Sequence, residues 1–181
     1  MGKPILNRSG AVPYKKGLYE VKNTDKYIGN PMDCIYRSSW EKRFCVYLDH
    51  LENVKKWGSE LEKLVIPYQD IDGYWHKYYP DYYVVFTDPR DPQKELQVII
   101  EIKPSNEIRP KFITTDQETG KPKLIMPKSF KNLKAYENFE YQLKTYQKNR
   151  LKWDAAFKWC KNRHIEFWLI DEKKLKELKI L

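Results

Sequence analysis

The chain has 181 residues, 41% of them hydrophobic and 33% charged, and a formal net charge of +9. That length supports one well-buried domain without disulfide or zinc staples, and the three cysteines, Cys34, Cys45 and Cys160, have no CxxC spacing; Cys45 and Cys160 fall within apolar helical runs and are expected to be buried thiols. No apolar run approaches the roughly 20 residues that span a bilayer and no signal-peptide core is evident, so a soluble protein made in a reducing compartment is expected.

Residues 1–33 are polar, with scattered Gly, Pro and Asn, and are expected to form an irregular arm over the domain. Residues 37–57 form the first convincing helix, with Trp40, Phe44, Tyr47, Leu48 and Leu51 along one stripe. At 100° per residue Glu41 lies at the margin of that stripe and faces the domain. Ser38-x-x-Glu41 is also a capping box, so a helix-capping role and a site role are both open for Glu41. Residues 64–69 read as a first strand, and Asp72-Gly73 as a tight turn into a second strand that runs to Phe86. The Pro- and Asp-rich segment from Thr87 to Gln93 reads as the turn into a third strand. With Asp91 near its centre, paired residue numbers sum to about 182, which sets Asp81 opposite Glu101. On the second strand Asp81 shares a face with Tyr79, Tyr83 and Val85; a turn residue after Pro80 is the alternative. On the third, Leu96, Val98, Ile100 and Ile102 point one way, and Glu101 and Lys103 the other.

Residues 104–128 carry four prolines and no steady period, and read as a long excursion with a small hairpin around Gln117-Glu118-Thr119-Gly120. Helical patterning returns over 129–163, as one helix or two with a kink near Asn149, with Leu133, Tyr136, Leu143, Tyr146, Ala155, Ala156, Trp159 and Cys160 as candidate buried positions. A final strand is expected at 165–170 and a short helix from Asp171. His50, His76 and His164 lack metal-ligand spacing and are expected to be structural or surface residues.

Two carboxylates facing each other across a strand pair, with Cβ atoms about 5 Å apart, destabilise the sheet unless a positive group sits between them. A divalent cation would relieve that repulsion, and hard oxygen donors suit Mg²⁺ or Mn²⁺. Charge supports a phosphodiester substrate. Residues 121–181 hold 16 Lys and Arg against 7 Asp and Glu, whereas the first 120 residues hold 18 of each. A basic half beside an acidic site would attract a phosphate backbone, although Lys-rich helices also present simple solvated faces. Lys144, Lys148, Asn149, Arg150 and Lys152 are the candidate DNA contacts. Gln142 is a weaker one, and Lys152 reads equally as a solvated residue.

The segments Tyr79-Pro80-Asp81-Tyr82 and Glu101-Ile102-Lys103 resemble the PD-(D/E)XK nuclease superfamily, and Arg37-Ser38-Ser39-Trp40-Glu41 looks like its helix-borne Glu. The run from Asn149 to Ala156, then Trp159-Cys160 and Glu166-Phe167-Trp168-Leu169-Ile170, resembles the head completion nucleases of T-even-type tailed phages, a subgroup related to the endonuclease subunit of heteromeric transposases. The resemblance implies an α/β (α+β) restriction-endonuclease-like core: a helix, a three-stranded antiparallel meander, then a helix and a strand, in a mixed sheet flanked by helices. It implies one nuclease domain over residues 1–181, with residues 129–181 its basic helical part. The implied activity is DNA phosphodiester hydrolysis to a 5′-phosphate and a 3′-hydroxyl. Asp81, Glu101 and the carbonyl of Ile102 would hold Mg²⁺, with Mn²⁺ as substitute; Glu41 would bind a second ion or orient its water, and Lys103 would position or deprotonate the attacking water.

The resemblance also implies DNA and phage portal or neck proteins as partners, no membrane, and a place in the virion and the host cytoplasm. In one respect the chain departs from the subgroup: Ser105-Asn106-Glu107 follows Glu-Ile-Lys-Pro where basic and glutamine residues are expected. Two other readings are a non-cutting neck protein that retains the fold and a transposase-type endonuclease subunit. No ribonucleoprotein motif points to RNA.

Overall fold

A computed structural model describes residues 16–181. Strands β1 (Gly17–Leu18) and β2 (Ile35–Tyr36) pair ahead of helix α1 (Ser39–His50). There follow β3 (Val54–Ser59), β4 (Ile66–Gln69), β5 (Trp75–Tyr78), β6 (Tyr82–Asp88) and β7 (Asp91–Ile102). A short helix α2 (Ser105–Ile108) and the strands β8 (Ile113–Thr115) and β9 (Pro122–Leu124) lead to the long helix α3 (Leu133–Lys161), then β10 (Glu166–Ile170) and α4 (Glu172–Glu177).

The central sheet has the order β10-β7-β6-β3. The β3–β6 and β6–β7 pairs are antiparallel and β7–β10 is parallel, so the sheet is mixed, as the sequence led us to expect. A parallel neighbour requires a crossover, which α2, β8, β9 and α3 supply. Because β7 has strands on both sides and layers on both faces, its residues from Val98 to Ile102 are all buried. Val98, Ile100 and Ile102 face α1 and α4, packing with Val84, Phe44, Leu48 and Leu175. Ile99 faces the other way, into a second cluster with Ile66, Tyr78, Ala156 and Cys160 from β4, β5 and α3. Each such large side chain contributes about 1.5–3 kcal/mol when fully buried. The fold is therefore α+β, a mixed sheet between helical layers.

Several boundaries differ from the sequence reading. The helix expected over 37–57 ends at His50, and residues 54–59 are β3, which pairs with β6. Val54 and Trp57 are spaced three apart and so also satisfy a helical period, but here sheet pairing overrides it. Gly58 marks the strand: a Cβ there would lie 2.7 Å from Leu61 Cδ2 and 3.0 Å from the Ile28 carbonyl oxygen. The strand expected at 64–69 exists as β4, but it pairs with β5 in a separate two-stranded sheet, so β3 is the first strand of the meander. The Asp72-Gly73 turn is present, with Gly73 at φ +86. The expected second strand is broken between β5 and β6 around Pro80, which has no N–H for a ladder. Tyr79 is thus exposed rather than paired with Asp81 on one strand face.

From Tyr82–Ile100 to Thr87–Glu95 the β6–β7 partners sum to 182. The turn itself lies at Pro89-Arg90, ahead of Asp91, and an irregularity after Thr87 absorbs the difference. Helix α3 runs unbroken through Asn149 for 29 residues, about 43 Å. Its buried positions begin at Tyr146, leaving Leu133 and Tyr136 exposed, contrary to expectation. The hairpin expected in the excursion is β8–β9, with Gly120 at φ +67. All three cysteines are buried thiols. Among the described residues, no helix is long and apolar enough to cross a membrane.

The expected arm lies partly outside the described residues, at 1–15; the rest is tied to α1 by Asp49. This fully buried carboxylate accepts from the Tyr19 hydroxyl at 2.8 Å, the Lys22 amide at 2.7 Å and the Asn23 amide at 3.0 Å. Removing it takes the shared acceptor from three donors, the Tyr19 hydroxyl among them buried. Asp49→Ala should lower unfolding free energy by roughly 3 kcal/mol in urea melts, and an effect below about 1 kcal/mol would show that the arm is held by packing instead.

Candidate active site

Three charged residues meet at one end of the central sheet. Asp81 occupies the bend just before β6, where its carbonyl accepts from the Glu60 amide at 3.0 Å. Its Oδ2 accepts from the Ile102 amide at 2.8 Å, so the side chain extends the β6–β7 ladder by one bond past the last paired residues. Glu101 is the penultimate residue of β7, only 3% exposed, on the face that looks toward α3. Its Oε2 accepts from the Tyr78 hydroxyl at 2.7 Å and its Oε1 lies 3.1 Å from Lys103 Nζ. Lys103 Nζ is also 4.0 Å from Asp81 Oδ2. The strand end brings Asp81, Glu101 and Lys103 together because Lys103, the residue after β7, continues its extended course with its amide on the Ile170 carbonyl, and residues two apart share a face.

The electrostatics follow from burial. Desolvation and the Glu101 charge push the Asp81 carboxyl up to about 8, against the pull of Lys103 and the Ile102 amide. Burial works against the Lys103 ammonium too, yet Asp81 and Glu101 together raise it above the ordinary lysine value. Tyr78 is raised by burial and by Glu101, so it stays a donor to that carboxylate. Two negative groups with a single lysine within 4.0 Å of both leave local demand for more positive charge.

Glu41 reaches the same end of the sheet from the opposite layer. The Tyr82 hydroxyl donates to its carbonyl at 3.0 Å, which ties the first turn of α1 to the first residue of β6. Its carboxylate is engaged in the helix cap: Oε2 accepts from the Arg37 amide at 2.6 Å and Oε1 from the Ser38 hydroxyl at 2.8 Å. The Ser38 half of the capping box is formed, with the Glu41 amide donating to Ser38 Oγ at 3.1 Å, while the Glu41 carboxylate reaches one residue further back, to the Arg37 amide. Ile102 ends β7 between the two charged residues, its side chain in the core.

Two carboxylates and a main-chain carbonyl are hard oxygen donors, and at Asp81 burial together with the Glu101 charge outweighs the pull of Lys103. Asp81, Glu101 and the Ile102 carbonyl would thus fit Mg²⁺ or Mn²⁺, which fill their remaining positions with water and substrate oxygen. Among the described residues, no three His, Cys, Asp or Glu side chains converge as a metal cage, so such an ion would depend on those outside ligands.

Helix α3 walls the site. Lys152 is half-buried with Nζ 5.6 Å from the Tyr78 ring centre and 6.0 Å from that of Tyr68, and burial lowers its ammonium. Lys144 and Lys148 line a groove of about 270 Å³ against the β4–β5 hairpin. Asn149 is buried and donates to Glu107 Oε2 at 3.1 Å, an internal contact rather than an outward one. Arg150 lies on another side of the helix, paired with Asp154 at 3.0 Å, and Gln142 is exposed two residues from Lys144. Sequence reasoning gave no role to Tyr78, nor to Tyr82 and Glu107 within the segments that contain them. A buried alternation of Ile66, Tyr68 and Tyr78 is the signal that could have found Tyr78; the other two depend on contacts between distant segments.

The model of a family described as "TnsA-like endonuclease N terminal" matches residues 51–172. The head completion nuclease of Enterobacteria phage T4 is 31% identical over 163 residues, which cover 90% of this chain and 94% of that protein. No solved structure matches the chain.

The carboxylate pair makes stability depend on pH. The folded Asp81 titrates above its unfolded value, so the folded protein holds an extra proton between about pH 4 and 8 and loses stability as pH rises through that window. In a chelating buffer, Tm should fall by several degrees more from pH 5 to pH 8 in the parent than in Asp81→Asn. Parallel Tm profiles would mean that burial and the Glu101 charge do not raise the Asp81 carboxyl.

Proposed function

The chain belongs to the TnsA-like endonuclease family, and from that premise we propose that it hydrolyses DNA phosphodiester bonds with Mg²⁺ at Asp81, Glu101 and Lys103. The observation that carries the proposal is the pair of desolvated carboxylates, one of them bonded to the main chain of the other's strand, sharing one lysine at the sheet end. Asp81, Glu101 and the Ile102 carbonyl would hold the ion, which when bound lowers the pKa of a water and neutralises charge on phosphate oxygens. Mn²⁺ would substitute.

The chain's own groups do the rest. Tyr78 fixes one Glu101 oxygen, and the Ile102 amide fixes one Asp81 oxygen, so neither carboxylate must reorganise when substrate arrives. Lys103 is held protonated by its neighbours, which makes it a donor that orients water and stabilises charge on the phosphate, rather than the base that removes a proton. Lys152, Lys144 and Lys148 would guide the backbone along α3 toward that point, while Arg150 is engaged with Asp154. Glu41 would add negative charge to the site from its capping position, as a ligand of a second ion or through an ordered water.

The similar T4 protein is named a head completion nuclease, and near-complete coverage of that protein supports a like role here. We place the protein in the virion and the host cytoplasm, acting on packaged DNA at the head-tail junction beside portal or neck proteins. The family description favours a second reading, the endonuclease subunit of a heteromeric transposase. Adjacent tail, neck and portal genes would indicate the first role and a recombinase gene the second.

Plasmid nicking should require Mg²⁺ or Mn²⁺ and stop with EDTA. Asp81→Asn, Glu101→Gln and Lys103→Ala should each fold and bind DNA while cleavage falls about 10²- to 10⁴-fold. Undiminished cleavage by any of the three would remove it from the site. Glu41→Gln keeps a cap-competent side chain, so it should reduce cleavage at unchanged Tm; a lower Tm with full cleavage would restrict Glu41 to the cap.

Salt dependence tests the basic wall. Replacing Lys144, Lys148 and Lys152 by Ala should lower the slope of log K against log salt by about 0.9 for each lost phosphate contact, whereas Arg150→Ala should leave it unchanged. The reverse pattern would put the DNA on the other side of α3.

A further inference from the structure

Lys152 stands beside the acid pair without being bound to it. Its Nζ lies over two rings, 5.6 Å from the centre of Tyr78 and 6.0 Å from that of Tyr68, and the Tyr78 hydroxyl donates to Glu101 Oε2 at 2.7 Å. Glu101 and Asp81 pair instead with Lys103, and among the described residues Lys152 makes no ion pair. A half-buried ammonium on aromatic faces, its N–H donors uncommitted to a carboxylate, is costly unless an oxygen anion arrives to accept from it.

The other cations nearby are engaged or stand farther off. Arg37 is held by the Glu60 carboxylate, to which its Nη2 donates at 2.6 Å. Lys103 is shared by the two acids. Lys148 and Lys144 are exposed, one and two helical turns from Lys152, about 6 and 12 Å along α3, and border Tyr68 and His76 rather than Tyr78.

Hydrolysis of a phosphodiester needs groups on two sides of the phosphorus. The attacking and leaving oxygens lie roughly in line, so a residue that serves the water cannot also serve the oxygen departing on the far side. Lys103 projects from the end of β7, whereas Lys152 comes from α3 and approaches the acids across the Tyr78 ring. An alkoxide leaves poorly, and a proton delivered as its bond breaks accelerates the step by about 10²- to 10⁴-fold. Burial makes the Lys152 ammonium more acidic than an ordinary lysine; Lys148 and Lys103 act in the same direction, and Glu101 and Asp81 oppose them. Lys103, whose ammonium its neighbours stabilise, is the poorer donor.

We infer that Lys152 is the general acid that protonates the departing 3′-oxygen. This rests on the DNA endonuclease reading above and adds a catalytic residue to the same site. The water oxygen forms the new bond to phosphorus, the bond from phosphorus to the 3′-oxygen breaks with its electron pair on that oxygen, and the Nζ proton moves there. The proton lost by the water goes to solvent, and the Lys152 amine takes one back from solvent.

The test uses the full chain with Mn²⁺ and two duplexes that differ at one linkage the parent cuts, where the 3′-oxygen is kept or replaced by sulfur. A thiol ionises at a pH of about 8.5, so a departing thiolate needs no donated proton. With protein in excess and a single turnover, Lys152→Met should cut the oxygen linkage about 10²-fold or more slowly than the parent and the sulfur linkage about as fast. Lys152→Arg keeps the charge but does not release a proton, so in EDTA it should bind DNA with the parent's salt slope, and with Mn²⁺ it should lose about 10²-fold on the oxygen linkage alone. Lys103→Ala should be slow on both linkages. Equal losses on the two linkages at unchanged Tm, full activity of Lys152→Arg, or restoration by sulfur of Lys103→Ala in place of the Lys152 variants would overturn the assignment and leave Lys152 as a phosphate contact. A parent that cuts no DNA would defeat the nuclease reading, and this assignment with it.

Discussion

Asp81 and Glu101 place two acids at the same end of one buried strand pair, and their burial side by side is the constraint around which the neighbouring residues are arranged. Burial and the neighbouring Glu101 charge raise the Asp81 carboxyl to about 8. Lys103, two residues along the same face, and the Ile102 amide aimed at Asp81 oppose that rise without cancelling it, and the Tyr78 hydroxyl is aimed at Glu101. None of these groups can be replaced by an apolar one without leaving a buried acid unpaired. An added cation would supply the charge that one lysine does not, which links the electrostatics of the folded state to the chemistry.

The two faces of the sheet divide the work. The α1 face is apolar and tied to the arm through Asp49, and it sets the position of the strands. The α3 face holds Glu101 and Lys103 among aromatic residues, and the helix that covers it carries Lys144, Lys148 and Lys152. The basic helix and the paired acids therefore share one layer, while the opposite layer holds the frame. Glu41 is the residue that crosses this division: its carbonyl is fixed by Tyr82 of β6, and its side chain closes the end of α1.

How far the sequence was legible depended on whether a residue's partner lay nearby in the chain. The β6–β7 register was readable because a short turn links two alternating strands, and the sum of 182 holds from Tyr82 to Thr87 despite a turn at Pro89-Arg90. The capping box at Ser38 and Glu41, the Asp72-Gly73 turn and the hairpin around Gly120 were readable for the same reason. The segment 54–59 was not: Val54 and Trp57 extend the helical period of α1, and only pairing with β6 makes them a strand. Asn149 and Arg150 show the same limit at the site. Their types suit phosphate, but Glu107 and Asp154 engage them, through a contact between elements 42 residues apart and a helical pair.

The central claim is that the Asp81–Glu101 pair is a cation site. Crystals grown with Mn²⁺ and measured at the manganese absorption edge test it most directly. The account predicts an anomalous peak bonded to oxygens of Asp81, Glu101 and the Ile102 carbonyl, with Lys103 Nζ withdrawn from the 3.1 Å contact it now makes with Glu101. Manganese bound elsewhere, with Lys103 still paired to both carboxylates, would contradict it.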